Sequence, residues 1–371
     1  MRVIRDFYYL FKKIIYNLLM ELGYFLFFGM IDKKFIGLAI RSVFGKKKLK
    51  YKFFDNGGVY VNKWKDFIWQ NFELIPKLLK DLIDDLDERS KEDAKKIIKN
   101  ILFFIPYGSK NFLLEESALD FIFDQKDREE QKKFDQRIEK IKTKYVLPYV
   151  PTWNFFGTAE GLYFIEDKVD LKGFLLDKLI IDGGGYIGDS LVLFMEFNPY
   201  KVLVFEPLEE NIKSLQQTLV KNNISLDKVL VFKIGLDKEN RRSKLFKAGS
   251  ASTIIAGSKI DYKGEENIEL VSLDDFYHNN KENFESKKIG CIKLDIEGNE
   301  YNAILGALKV IKEHRPILLI SIYHVPQDFF YIKPLLQKEV ENYRFMIRRI
   351  NPYGFFEETL LIGYPEEIEK K

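Results

Sequence analysis

Three short stretches of this chain gather residue types that can do chemistry. The first is "LIIDGGGYIGDS", 179–190, where Gly183, Gly185 and Gly188 spell G-x-G-x-x-G between Asp182 and Asp189. Glycine permits positive φ and close backbone approach, so a strand–turn–helix of this kind suits an adenosine-bearing cofactor. A pyrophosphate at the helix N-terminus would be repelled by the two aspartates, whereas a cationic amino-acid end would be welcome. S-adenosylmethionine, with an ammonium and a sulfonium, is such a ligand. The second stretch, "VLVFEP", puts Glu206 and Pro207 at the end of the next strand. An acid there can accept both ribose hydroxyls, and it serves nicotinamide and adenosylmethionine cofactors alike. The third comprises "CIKLDIEGNE", with Asp295, Glu297 and Glu300, and "ILLISIYH", ending in Tyr323 and His324. Ends of buried strands on this side of a sheet face the ligand crevice.

The elements that must position these residues are legible in the pattern. From 178 onward, short apolar runs alternate with helical stretches, the mark of a mostly parallel sheet covered on both faces. "YRFMIRRI" and "EETLLIGYP" read as a terminal antiparallel pair. The expected fold is α/β, a doubly wound, mostly parallel seven-stranded sheet with a C-terminal antiparallel strand. Residues 64–145 read instead as successive helices, one kinked at Pro76, one capped by Ser90 or Asp93, and a third starting near Glu115. The division expected is a mainly helical region over 1–150, acting as a cap, dimerisation unit or membrane-proximal unit, and a cofactor-binding domain over 151–371.

Composition narrows the function classes. A chain of 371 residues, 46% hydrophobic and 31% charged, can bury a large core without staples. Lysine and arginine exceed aspartate and glutamate by 59 to 56, too little to imply a nucleic-acid partner. The single cysteine, Cys291, excludes an internal disulfide and points to a reducing cytoplasm. The three histidines lack metal-ligand spacing, so any divalent cation would rest on carboxylates such as Asp295 and Glu297. The apolar segment 14–31 contains Asn17 and Glu21 and reads as a packing helix rather than a span. Its flanking lysines suit peripheral contact with the inner face of the cell membrane. The oligomeric state stays open, with a homodimer compatible.

Taken in order, "IIDGGGYIGDS", "VLVFEPLEENIKSL", "SLDDF", "IKLDIEGNEYNAILGA" and "RPILLISIYHVPQDFF" resemble the FkbM-type methyltransferases, over about 178–363. The resemblance implies a class I, Rossmann-like enzyme that uses S-adenosylmethionine to O-methylate a sugar or another small hydroxylated acceptor, in bacterial surface-polysaccharide or secondary-metabolite biosynthesis. It implies Asp182, Gly183, Gly184, Gly185, Gly188 and Asp189 along the methionine end of the cofactor, and Glu206 with Pro207 at the ribose. Asp295 and Glu297 match the acidic pair after the fourth strand, Tyr323 and His324 the aromatic–histidine pair after the fifth. Gly184 departs from the alanine of relatives, a change that removes only a methyl group. Methyl transfer to oxygen needs the hydroxyl proton removed, and His324, Asp295 and Glu297 are the candidate bases, His324 foremost. The competing readings are an NAD-dependent oxidoreductase acting on a sugar, prompted by the literal G-x-G-x-x-G, and a non-catalytic scaffold.

Overall fold

The computed structural model describes residues 51–52, 57–104, 113–114, 125–149, 155–247, 252–254, 263–350 and 356–370. The 14–31 segment and the helix expected near Glu115 lie outside them. No helix of the described residues is long and apolar enough to cross a membrane.

The strands of the α/β part are β1 (Leu179–Gly183), β2 (Lys201–Phe205), β3 (Val229–Phe232), β4 (Gly235–Leu236), β5 (Arg241–Phe246), β6 (Glu265–Val271), β7 (Ile289–Leu294), β8 (Ile317–Ser321), β9 (Tyr343–Arg349) and β10 (Thr359–Pro365). Seven of them form one sheet in the order β9-β10-β8-β7-β1-β2-β3. Only β10 runs antiparallel to its neighbours. Strands β4, β5 and β6 make a separate three-stranded sheet. The seven strands, mostly parallel, and the antiparallel β10 agree with the sequence expectation.

Strands β1, β7 and β8 are buried at every position, because both faces are covered. Residues alternate between two cores. Leu179, Ile181, Leu203, Phe205, Leu294 and Ile320 face one, while Ile180, Val202, Val204, Cys291 and Leu319 face the other. The helices used below are α1 (Gly57–Gln70), α2 (Ile75–Ile83), α3 (Glu88–Phe104), α4 (Gln125–Lys142), α5 (Asp189–Phe194), α6 (Glu209–Lys221), α7 (Leu273–Asn280), α8 (Glu300–Leu305), α9 (Leu308–His314) and α10 (Pro326–Glu339).

The first three helices share the first core with the sheet. Trp64, Phe67, Leu79, Leu82 and Ile97 belong to the same apolar cluster as Leu294, Phe329 and Ile347. Pro76 does not kink a helix. It sits in the first turn of α2, where its missing N–H costs nothing, after a short 3-10 turn at Phe72–Leu74. The cap of α3 is likewise neither Ser90 nor Asp93: the Asp87 carboxylate accepts from Ser90 N and Ser90 Oγ, both at 2.9 Å. Ser90 is thereby free to cover the outer edge of the sheet. Its Oγ accepts from Ile347 N at 3.0 Å and from Arg348 Nη1 at 2.7 Å. An edge amide that would otherwise invite strand pairing is satisfied by a side chain.

Trp64 anchors this attachment. It is 0% exposed, packs among Phe329, Phe330 and Phe356, and donates from Nε1 to Tyr323 O at 2.9 Å. Truncation leaves both a cavity and an orphaned carbonyl, so Trp64→Ala should lower unfolding free energy by about 3–5 kcal/mol. Denaturant unfolding checks this, and an unchanged midpoint would show that α1 is not part of the cooperative unit.

Candidate active site

The turn after β1 is built by glycine where only glycine serves. Gly184 and Gly188 both have φ +81°. A Cβ on Gly184 would lie 1.9 Å from Asp295 O, so the loop backbone is pressed against the turn that follows β7. The absence of a methyl group at 184 is therefore a requirement of this chain, contrary to the expectation that alanine is equivalent there. Gly185 is similarly closed in, with Val204 Cγ1 at 2.1 Å from a notional Cβ.

A buried lysine holds this loop. Asp182 is level with Lys293 across β1 and β7, and the Lys293 ammonium lies 3.0 Å from Asp182 Oδ1 and donates to Gly184 O at 2.7 Å. Burial pushes the Asp182 carboxyl up and Lys293 opposes it. Burial also disfavours the Lys293 ammonium, but Asp182, Asp295 and Asp189 outweigh that and raise its pKa. The sequence reading treated Asp182 as a free charge at the cofactor loop. With Lys293 beside it, that charge is compensated, and Asp189, half-buried and pushed up to about 6 by burial, is drawn down by the same Lys293. The repulsion argument against a pyrophosphate is correspondingly weaker.

Glu206 closes the other side. Its carboxylate accepts from Tyr186 N and Leu208 N at 2.9 Å and from Asn211 Nδ2 at 3.1 Å, and burial raises its pKa to about 7. Gly184, Glu206 and Pro207 line one cavity together with Asp295 and Glu297. Asp182, Gly183, Gly185, Gly188 and Asp189 frame the loop without lining that cavity.

Behind Asp295 and Glu297 lies a buried charge network. The His324 ring is 0% exposed, with Nδ1 2.9 Å from Glu300 Oε1 and Nε2 3.4 Å from Asp295 Oδ1 and 3.7 Å from Glu297 Oε2. Burial disfavours the imidazolium, yet Glu300 and Glu297 overcome it and push the pKa up to about 10. At neutral pH the ring is charged, with no lone pair to receive a proton. That argues against His324 as the resting base. Glu300 is more than a first-turn helix acid: it also accepts from Ile296 N and Gly298 N, both at 2.8 Å, and so shapes the turn in which Glu297 adopts φ +61°. Burial and the neighbouring Glu300 push the Asp328 carboxyl well up.

The turn carries the two acids outward. Asp295 Oδ2 accepts from Thr158 Oγ1 at 2.9 Å, and Glu297 Oε2 accepts from the Tyr60 hydroxyl at 2.6 Å. Burial raises the Glu297 carboxyl to about 7 against the opposing pull of His324. Asp295, Glu300 and His324 each offer a ligand atom within 4.8 Å of one another, as a metal would need. A cation there would first have to displace the His324 proton. Tyr323 stands over His324, ring centroids 4.0 Å apart, and donates to Glu358 at 3.2 Å.

Residues 182–356 match the family model described as the methyltransferase FkbM domain. The chain carries an FkbM methyltransferase domain. No curated protein matches the chain. Among solved structures it is similar to a methyltransferase FkbM from Methylobacillus flagellatus KT, at 20% identity and a TM-score of 0.48, over 82% of this chain and 62% of that one. It is also similar to an rRNA methylase from Streptococcus thermophilus, at 14% identity and a TM-score of 0.33, over 53% of this chain and 90% of that one. A SAM-dependent methyltransferase from Agrobacterium tumefaciens gives 7% identity and a TM-score of 0.31, over 56% and 62% of the two chains.

The FkbM domain supplies the glycine loop, Glu206, Asp295, Glu297 and His324, but Tyr60 and Thr158 reach the same acids from outside the matched segment. Sequence reading missed both, and Lys293. Lys293 had a signal, a lone cation inside an otherwise apolar strand. Tyr60 had none among 20 tyrosines, since its partner is 237 residues away. Because a Cβ at 184 meets backbone at positive φ, Gly184→Ala should cost about 1–3 kcal/mol of strain, read as a fall in Tm. An unchanged Tm would mean that the loop relaxes freely.

Proposed function

We propose that this protein is an S-adenosylmethionine-dependent O-methyltransferase acting on a hydroxyl of a sugar or another small hydroxylated acceptor. The observation that carries the reading is the cavity in which Glu206, at the end of β2, faces Asp295 and Glu297, at the end of β7. One side can take ribose hydroxyls and the other can take a proton, as methyl transfer to oxygen requires. When bound, the cofactor supplies an electrophilic methyl group on sulfonium. The polysaccharide or secondary-metabolite setting, a cytoplasmic location and a place at the inner membrane face belong to the same proposal and rest on the family resemblance.

In this reading Glu297 is the base. It lines the cavity, and a pKa of about 7 leaves it substantially ionised near neutrality while still basic enough to accept a proton. The acceptor hydroxyl gives its proton to a Glu297 carboxylate oxygen. The His324 imidazolium stays charged and holds Asp295 and Glu297 in place, and the Tyr60 hydroxyl orients the second Glu297 oxygen.

The experiment is incubation of the full chain with S-adenosylmethionine and cell-envelope saccharides, with mass detection of a methylated product. A thermal shift with S-adenosylmethionine or its demethylated product is expected, and none with NAD, since only a ligand that prefers the folded state raises the midpoint. A shift with NAD alone would favour an oxidoreductase, and no shift with any of them a scaffold.

Glu297→Gln should lower kcat by about 100- to 10,000-fold with cofactor binding retained. The wild-type rate should rise with pH through about 7, as Glu297 loses its proton, and fall near 10, as His324 loses its charge. Turnover that survives in Glu297→Gln moves the base to Asp295.

A further inference from the structure

The cavity at the glycine loop encloses about 80 Å³. Pockets that hold small molecules start at about 300 Å³, so part of the wall must yield before a cofactor can enter. Most of the wall is fixed. Leu236, Leu245, Ile268 and Leu270 stand in the paired strands β4, β5 and β6, and the turns at Gly184 and Glu206 are held by the bonds described above. Ser252 and Ile254 line the cavity from outside any strand.

Between them Thr253, only 3% exposed, holds this short segment down. Its backbone pairs with Phe246 at the end of β5: Thr253 N donates to Phe246 O at 3.1 Å, and Phe246 N donates to Thr253 O at 2.9 Å. Its hydroxyl donates to Glu297 O at 2.8 Å, in the turn where Glu297 adopts φ +61°. Ile254 packs against the apolar cluster of Leu208, Leu245, Ile268 and Leu270, and so fills the apolar end of the cavity. The piece of wall that stands in a ligand's way is therefore bonded to the peptide of the residue read as the base.

We propose that residues 252–254 are a strap that closes the cavity in the ligand-free protein and is lifted as the cofactor enters. The proposal rests on the adenosylmethionine reading for the identity of the ligand. Lifting the strap breaks the Thr253–Phe246 pair and the Thr253–Glu297 bond, and contacts with the ligand replace them. Entry of the cofactor thereby releases the Glu297 carbonyl, which couples the two halves of the site. A ligand shifts such an equilibrium only through its preference for one state, so whatever weakens the closed strap must tighten binding.

Calorimetric titration of the full chain with S-adenosylhomocysteine, the demethylated cofactor, and hydrogen exchange at the Phe246 and Thr253 amides test it. Thr253→Val keeps the shape of the side chain but removes the donor to Glu297 O in the closed state, whereas in the open state water serves that carbonyl in both proteins. The dissociation constant should therefore fall about three- to ten-fold, as loss of one hydrogen bond from the closed state predicts. Thr253→Ser keeps the hydroxyl and should bind as the wild type does. Ile254→Ala withdraws the plug and should also tighten binding, with Tm measured alongside to confirm the fold. In the wild type, saturating S-adenosylhomocysteine should speed exchange at both amides, the reverse of the protection a ligand usually confers. Unchanged or weaker binding in Thr253→Val, or exchange in the complex that is unchanged or slower, overturns the strap. If the wild type binds no S-adenosylhomocysteine, the proposed function fails and exchange in the ligand-free protein decides. Faster exchange at the Phe246 amide in Thr253→Val than in the wild type then upholds the strap, and equal exchange sinks it.

Discussion

A lysine in the middle of an apolar sheet is the constraint from which the site follows. Lys293 lies in β7, where every residue is buried, and its ammonium meets Asp182 on the neighbouring strand and the carbonyl of Gly184. Burying either charge alone would be very costly, and breaking such a pair by removing one partner costs about 3–5 kcal/mol. The pair therefore fixes where β1 ends and the glycine turn begins. Its consequence is functional, since the same contact presses Gly184 against Asp295 O and brings the cofactor-side turn and the acid-bearing turn together.

A second buried network repeats this logic one strand further along. Glu300 accepts from the backbone of the turn and faces His324, while Asp295 and Glu297 face the opposite nitrogen of the ring. The imidazolium is stable only because these carboxylates surround it, and they tolerate burial only because it is charged. Their burial also lifts Glu297 to about 7, within reach of a proton-transfer role at neutral pH. Charge compensation and the tuning of Glu297 arise from the same contacts.

The sheet was legible because its signal is local: apolar runs of strand length, each followed by a helical pattern, have one common solution. The ends of β1, β2, β7 and β8 were legible for the same reason, and Asp295, Glu297, Glu206 and His324 followed from them. What the pattern could not carry was pairing at a distance. Nothing adjacent to Asp182 announces Lys293, and nothing around Glu297 announces Tyr60. Protonation was equally hidden, since a histidine read alone is neutral near pH 7 and this one is charged through contacts with acids on other elements. The turn chemistry at Pro76 and Asp87 was missed by a few residues, as boundaries are where local signals overlap.

These long-range pairings bear on what the functional unit is. The family match begins at 182, yet Tyr60 donates to the acid read here as the base, Trp64 clamps the carbonyl of the residue before His324, and Thr158 holds Asp295. All three side chains come from earlier in the chain, and Tyr60 and Trp64 sit in the same apolar cluster as the sheet. A fragment starting at 182 would leave Tyr323 O and a carboxylate oxygen of Glu297 without these partners and expose Phe329 and Phe330 to water. The helical segment is thus bound to the site by the hydrogen-bonding needs of groups that the site itself buries.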